Sequence, residues 1–243
     1  MPETTLGGPI EAFPETLWTS ILSAPEPVRQ ERLLKLLERT WRPVYRFIRV
    51  AWKKNIEESK DLAQEFFAHL LQTDFLGKYR REQGRFRTFL IASLKNFLAG
   101  RRRDEGRLKR GGGQAVLSMN LPETDVLPPD PSSSTPEEHF DREWARGVMA
   151  ECLAETRRAL AEEGRELYFK IFETYDLADD SAPRPTYKEM AETLGITVHD
   201  VRNHLAYARG RLRKLTVERL RETVASAEDL QAEIDELSRY FRG

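Results

Sequence analysis

One short stretch restricts the fold of this chain more than any other: residues 186–213, TYKEMAETLGITVHDVRNHLAYARGRLR. Thr186 is placed to cap a first helix, and Glu189 three residues later completes a capping box. Tyr187, Met190, Ala191 and Leu194 recur at helical spacing and form its inner face. Gly195 supplies a left-handed turn that only glycine adopts cheaply. Ile196 plugs the turn, Thr197 caps a second helix, and Val201, Leu205 and Ala208 pack that helix down. His199, Asp200, Arg202, Asn203, Tyr207, Arg209 and Arg211 then fall on or near the outer face. This is the pattern of a helix–turn–helix. Arginine suits guanine and asparagine suits adenine in a major groove, and the trailing arginines suit phosphates. A plain αα-hairpin with an exposed basic helix is the competing interpretation.

The rest of the chain reads as helix too, with no β-type alternation of useful length, so the expected class is all-α. Residues 1–28 read as a tail. From Leu33 to Trp52 the apolar residues keep a three-to-four spacing, and Pro43 predicts a kink or two abutting helices. Leu62, Phe66, Leu70 and Ala63, Phe67, Leu71 form two adjacent rows on a further helix. Residues 74–85 read as a loop. The next helix, Phe86–Arg103, is expected to bury Phe86, Phe89, Leu90, Leu94, Phe97 and Leu98. Its opposite face carries Thr88, Ala92, Lys95, Asn96, Ala99 and Arg103, slim enough for a backbone or a base to approach. A basic run to the glycines at 111–113 follows, and then a Pro-, Ser- and acid-rich extended stretch. Helix resumes near Glu137, with Trp144, Val148, Cys152 (or Met149) and Leu153 on one face, and a dense apolar patch covers Leu167–Phe172. A last acidic helix is predicted over Val217–Phe241.

Charge is segregated rather than absent. The formal net charge is −1 although 33% of residues are charged. Arg85–Arg110 holds nine Lys/Arg against two Asp/Glu, and Arg202–Lys214 holds five basic residues and no acidic one. Glu123–Glu143 reverses the balance, with seven acidic residues and Arg142 alone basic. Two basic blocks around an acidic connector fit two phosphate-facing surfaces. Cys152 is the single cysteine, which excludes an intrachain disulfide and makes it a small core residue. The histidines show no metal-ligand rhythm, no cofactor motif stands out, and no nucleophile–base or paired-carboxylate constellation argues for an enzyme. No apolar run approaches the ~18 residues of a membrane span. The first residues, MPETTLGGPIEAFPETLW, lack the basic and apolar regions of a signal peptide. A reduced, cytoplasmic protein is the expectation.

ESKDLAQEFFAHLL followed by GRFRTFLIASLKNFLAGRRRDEGRLKRGGG closely resembles region 2 of extracytoplasmic-function (ECF) sigma factors, and YKEMAETLGITVHDVRNHLAYARGRLRKL is similar to their region 4. The resemblance covers about residues 29–113 and 144–215, in the family's order. It implies two small helical domains, 29–113 and 144–215, joined by an acidic flexible linker over 114–143, with a C-terminal helical extension over 216–243. It further implies partners. Region 2 docks on a coiled coil of the β′ subunit of core RNA polymerase and captures the unwound −10 strand of promoter DNA; region 4 reads the −35 duplex and contacts the β flap. Carried over by position, Tyr79, Arg80, Lys95, Asn96 and Arg103 would serve the −10 strand, and Thr197, His199, Arg202, Asn203, Arg209 and Arg211 the −35 duplex. Glu57, Glu58, Asp61, Gln64 and Glu65 would face the polymerase.

One departure stands out. Family members commonly present an acidic run before the DLAQE element, whereas Glu57, Glu58 and Asp61 here flank Ser59 and Lys60. Ser59, taken as exposed, is therefore a candidate charge switch: a Ser/Thr kinase would add roughly −1.5 to −2 charges near a helix N-terminus. Control by an anti-sigma protein or by the acidic C-terminal helix is a further expectation from the resemblance. A stand-alone helix–turn–helix regulator that never docks on polymerase is the alternative, and it leaves the basic block at 85–110 unexplained.

Overall fold

The computed structural model describes residues 21, 24–73, 84–105, 134–178 and 183–240. Among these the regular structure is helical, without a strand. In chain order the helices are α1 (Glu26–Trp52), α2 (Ile56–Gln72), α3 (Phe86–Glu105), α4 (Pro136–Glu162), α5 (Glu166–Asp176), α6 (Tyr187–Leu194), α7 (Val198–Arg221) and α8 (Ala227–Leu237). A 3₁₀ turn, Ser238–Tyr240, follows α8. The chain divides into two compact units: Met1–Arg146 together with Arg221–Gly243, and Gly147–Leu220.

In the first unit, α1 and α2 pack against each other across the short connection 53–55. Pro43 lies inside α1, which continues through it as one helix rather than two. A proline removes one backbone donor there, and burial of Trp41, Val44, Tyr45, Phe47 and Ile48 around it holds the element together. Each such side chain contributes roughly 1.5–3 kcal/mol of transfer free energy. Of the two expected rows of α2, Leu62, Ala63, Phe66, Phe67 and Leu70 are buried and Leu71 is half-buried. Phe66 reaches Phe97 of α3 at a ring separation of 5.4 Å. On α3, Phe86, Leu90, Leu94 and Leu98 are buried, while Phe89 and Phe97 are half-buried. Phe86 meets Trp144 of α4, which stacks in turn on Phe140.

The C-terminal segment differs from the single helix expected over Val217–Phe241. The α7 helix ends at Arg221, the chain turns through 222–226, and Ser226 caps α8 by accepting a hydrogen bond from the Asp229 amide at 3.0 Å. The Phe86 amide at the start of α3 donates to the Thr223 carbonyl at 3.0 Å. Below it lies a buried ion cluster. Arg87 is 2% exposed; its Nε donates to Glu233 at 2.9 Å, and it also pairs with Asp141 of α4 and with Glu236. Arg85 pairs with both Glu233 and Glu236. Burial works against the Arg87 charge, but the hydrogen bond and charge of Glu233, aided by Asp141 and Glu236, hold the guanidinium protonated well above the ordinary arginine range. Burial also pushes the Asp141 carboxyl up, more than the neighbouring Arg87 pulls it down.

The second unit is built on Leu160 of α4, Phe169, Ile171 and Phe172 of α5, Met190 and Ala191 of α6, and Val201, Leu205 and Ala208 of α7. Cys152 is buried, with its thiol pushed up by that burial. Residues 136–143, assigned to the linker from sequence, are the first turns of α4, with Phe140 fully buried.

Candidate nucleic-acid interface

The turn between α6 and α7 follows the local rules closely. Thr186 accepts from the Glu189 amide at 3.2 Å, and the Glu189 carboxylate accepts from the Thr186 amide at 2.7 Å, a reciprocal box. The Thr186 amide and hydroxyl, both donating to it, hold the Glu189 carboxyl below its usual range. Gly195 adopts φ 66° and ψ 30° and passes the chain to Thr197. Thr197 Oγ1 accepts from the Asp200 amide at 3.1 Å, and Asp200 accepts from the Thr197 amide at 3.0 Å, so the second helix carries its own box with aspartate in the third position. The Thr197 hydroxyl and amide accordingly hold the Asp200 carboxyl below its ordinary value.

With Val201, Leu205 and Ala208 buried, the first turns of α7 turn His199, Arg202 and Asn203 outward, all three exposed. Arg202 stands 6.0 Å from the centroid of Tyr187, a residue at the start of α6. The trailing arginines are employed differently. Arg209 grips Asp176 with two hydrogen bonds of 2.8 Å, which hold its guanidinium above the usual arginine range despite partial burial. Arg211 lies 3.4 Å from Glu163, and the Tyr207 hydroxyl donates to the same carboxylate at 2.9 Å. Arg209 and Arg211 thus tie α7 to α5 and to the end of α4. Sequence spacing places them outside but is silent about these acidic partners, 33 and 48 residues upstream respectively.

In the first unit, Thr88, Ala92, Lys95, Asn96, Ala99 and Arg103 form a continuous exposed stripe on α3. Lys95 pairs with Glu137, and that contact lowers the Glu137 carboxyl although its partial burial acts the other way. Arg103 Nε donates to the Ala99 carbonyl at 3.3 Å. Tyr79 and Arg80 lie outside the described residues, as do the basic run after Glu105 and the stretch to residue 133.

At the start of α2, Glu57, Glu58 and Asp61 are exposed and Gln64 is half-buried. Glu65 is half-buried and pairs with Arg101 of α3. Ser59 is not exposed. It is fully buried, and its hydroxyl donates to the Asn55 carbonyl at 2.7 Å. The register explains the burial, because Ser59 precedes Ala63 by four residues and Phe66 by seven, on the same helical face. The expected phosphoacceptor therefore has no access for a kinase in the folded chain. Lys60 pairs with Glu57 at 3.5 Å.

Among the described residues no helix is long and apolar enough to cross a membrane, and no cluster of His, Cys, Asp and Glu is arranged to hold a metal ion. Comparison with protein-family models, with curated proteins and with solved structures returned no match.

Proposed function

We propose that this chain is a sigma factor of the extracytoplasmic-function type, which docks on core RNA polymerase and directs it to promoters. The observation that carries the proposal is the α6–turn–α7 unit, whose second helix buries Val201, Leu205 and Ala208 and presents His199, Arg202 and Asn203 at its N-terminal end. That is the end of a recognition helix that meets base edges in a major groove. The exposed Lys95–Asn96 stripe of α3, in the other unit, supports a second contact with DNA, in keeping with capture of an unwound strand. Glu57, Glu58 and Asp61, exposed on the first turns of α2, are suited to a basic docking surface on the polymerase. In this role the protein supplies binding and orientation, and the polymerase supplies the chemistry.

Run-off transcription from a genomic promoter library, with core polymerase and with or without the chain, tests this directly. Discrete transcripts that depend on the chain are the expected result. A chain that yields no transcript and binds a palindromic duplex as a dimer would instead be a stand-alone regulator.

A further inference from the structure

Away from the α3 stripe, the end of α1 carries a feature that the promoter-reading surfaces do not use. Among the described residues Lys53 is the non-glycine residue with a left-handed backbone, at φ 50° and ψ 32°. It terminates α1, its amide donating to the Arg49 carbonyl at 3.1 Å. Glycine or asparagine is the usual occupant of such a position, because a larger L-side chain is strained there. A lysine at this turn keeps the strain and adds an exposed cation.

Its neighbours are arranged around one ring. Lys54 Nζ lies 5.5 Å, and the Arg102 guanidinium carbon 5.2 Å, from the Trp52 centroid. Cation–π attraction of this kind orders two otherwise mobile side chains. Two guanidinium groups brace the backbone between them: Arg49 donates to the Lys54 carbonyl at 2.7 Å, and Arg102 to the Ala51 carbonyl at 3.5 Å. One carboxylate competes, since Glu58 stands 3.5 Å from Lys54. It is exposed and shared with the Asn55 amide, so it neutralises little of the patch. The next cation of the triplet, Arg101, is committed to Glu65, whereas Arg102 and Arg103 are exposed.

We propose that Lys54 and Arg102, held over Trp52, together with the adjacent exposed Lys53, form a phosphate-contacting surface for duplex nucleic acid in the first unit, distinct from the recognition helix of the second. It rests on the nucleic-acid-binding reading of the chain. Two cations ordered on one ring, beside an exposed lysine at the left-handed turn, match the backbone of a duplex, which is recognised by charge and position and not by sequence. Arg102 lies three residues beyond Ala99 on α3 and beside Arg103, the last residue of the polar stripe.

The test is fluorescence anisotropy of the full-length chain with a labelled random-sequence DNA duplex across a salt series. The variants are Lys53→Gly with Arg102→Gln, and Arg158→Gln with Lys170→Gln as an equal charge change on the second unit. The Lys53→Gly change removes a charge and relieves the left-handed backbone in that variant. Its affinity at low salt is expected to fall about tenfold, and the slope of log K against log salt by roughly two, one for each lost phosphate contact. The control pair leaves the slope within one unit of wild type. A slope unchanged in the first variant, while wild type binds duplex, overturns the patch and leaves the sigma-factor proposal standing. Loss of core-polymerase binding with an unchanged duplex slope also overturns it, because the surface then serves a protein. Duplex binding that needs Lys53 and Arg102, in a chain that directs no transcription, keeps the patch and removes the sigma-factor proposal.

Discussion

Position on α7 separates residues of the same type. Arg202 is exposed at the N-terminal end of the helix, whereas Arg209 is bound twice to Asp176. Arg202→Ala is expected to lose about 1–3 kcal/mol of discrimination at one base pair, read by competition among single-base variants of the bound site. Arg209→Ala acts mainly on the fold. It removes an exposed bidentate pair and lowers thermal stability by roughly 0.2–1 kcal/mol, with similar loss of affinity for every sequence. Equal base selectivity in wild type and Arg202→Ala would remove that residue from the recognition set. His204 sets a pH dependence in the same helix. It stacks on Tyr168 at 3.8 Å, and its Nδ1 is buried without a hydrogen-bond partner among the described residues. Burial lowers its pKa below the ordinary 6.5, with Asp200 acting weakly in the opposite direction. The unfolded chain therefore binds the proton more readily, and stability of this unit rises with pH between the depressed folded pKa and 6.5. Thermal melts at pH 5 and pH 7 are expected to differ less in His204→Gln than in wild type.

At the scale of elements, two reciprocal caps and one left-handed glycine define the helix–turn–helix. A Cβ at Gly195 meets nothing within 4 Å, so substitution is penalised by the φ of 66° alone. Gly195→Ala is expected to destabilise the unit by about 1 kcal/mol and Gly195→Asn by less, measured by denaturant midpoints. Equal midpoints for the two variants would mean that the turn relaxes. The start of α2 obeys the same cap logic, yet there the hydroxyl of Ser59 is part of the packing. Ser59→Glu places a charge at a fully buried position, so it is expected to destabilise the first unit by more than 1 kcal/mol, whereas Ser59→Ala costs about one hydrogen bond. A Ser59→Glu chain as stable as wild type would show that the helix start opens readily.

At the scale of the molecule, the ion cluster makes α8 part of the first unit. Glu233 is fully buried and faces Arg87 and Arg85, 146 and 148 positions earlier. Removing one member leaves an uncompensated buried charge, so Arg87→Met is expected to cost about 3–5 kcal/mol. A stop after Arg221 removes Glu233 and Glu236 together and exposes the apolar contacts of Leu230 and Leu237. It is expected to unfold the first unit while the second, which ends at Leu220, keeps its transition in calorimetry. A truncated chain that retains both transitions would show that α8 is an appendage.

Local rules account for what was legible in the sequence alone. Caps, the glycine turn and helical periodicity act within about seven residues, so the α6–turn–α7 unit, the buried rows of α2 and the exposed stripe of α3 can all be read from spacing. The burial of Ser59 was legible on the same basis, four residues before Ala63, but its charged neighbours Glu57, Glu58, Lys60 and Asp61 point the other way. Ser226 and Asp229 likewise hold a cap signal for α8 inside a hydrophobic period that continues from α7. Tertiary structure alone decided the partners of the arginines. Charge attracts without a sequence period, so nothing in the chain order links Arg87 to Glu233, Arg209 to Asp176, or Arg102 to Trp52. Folding brings each pair within reach, and the carboxylates it places beside an arginine then determine whether that arginine is tied into the protein.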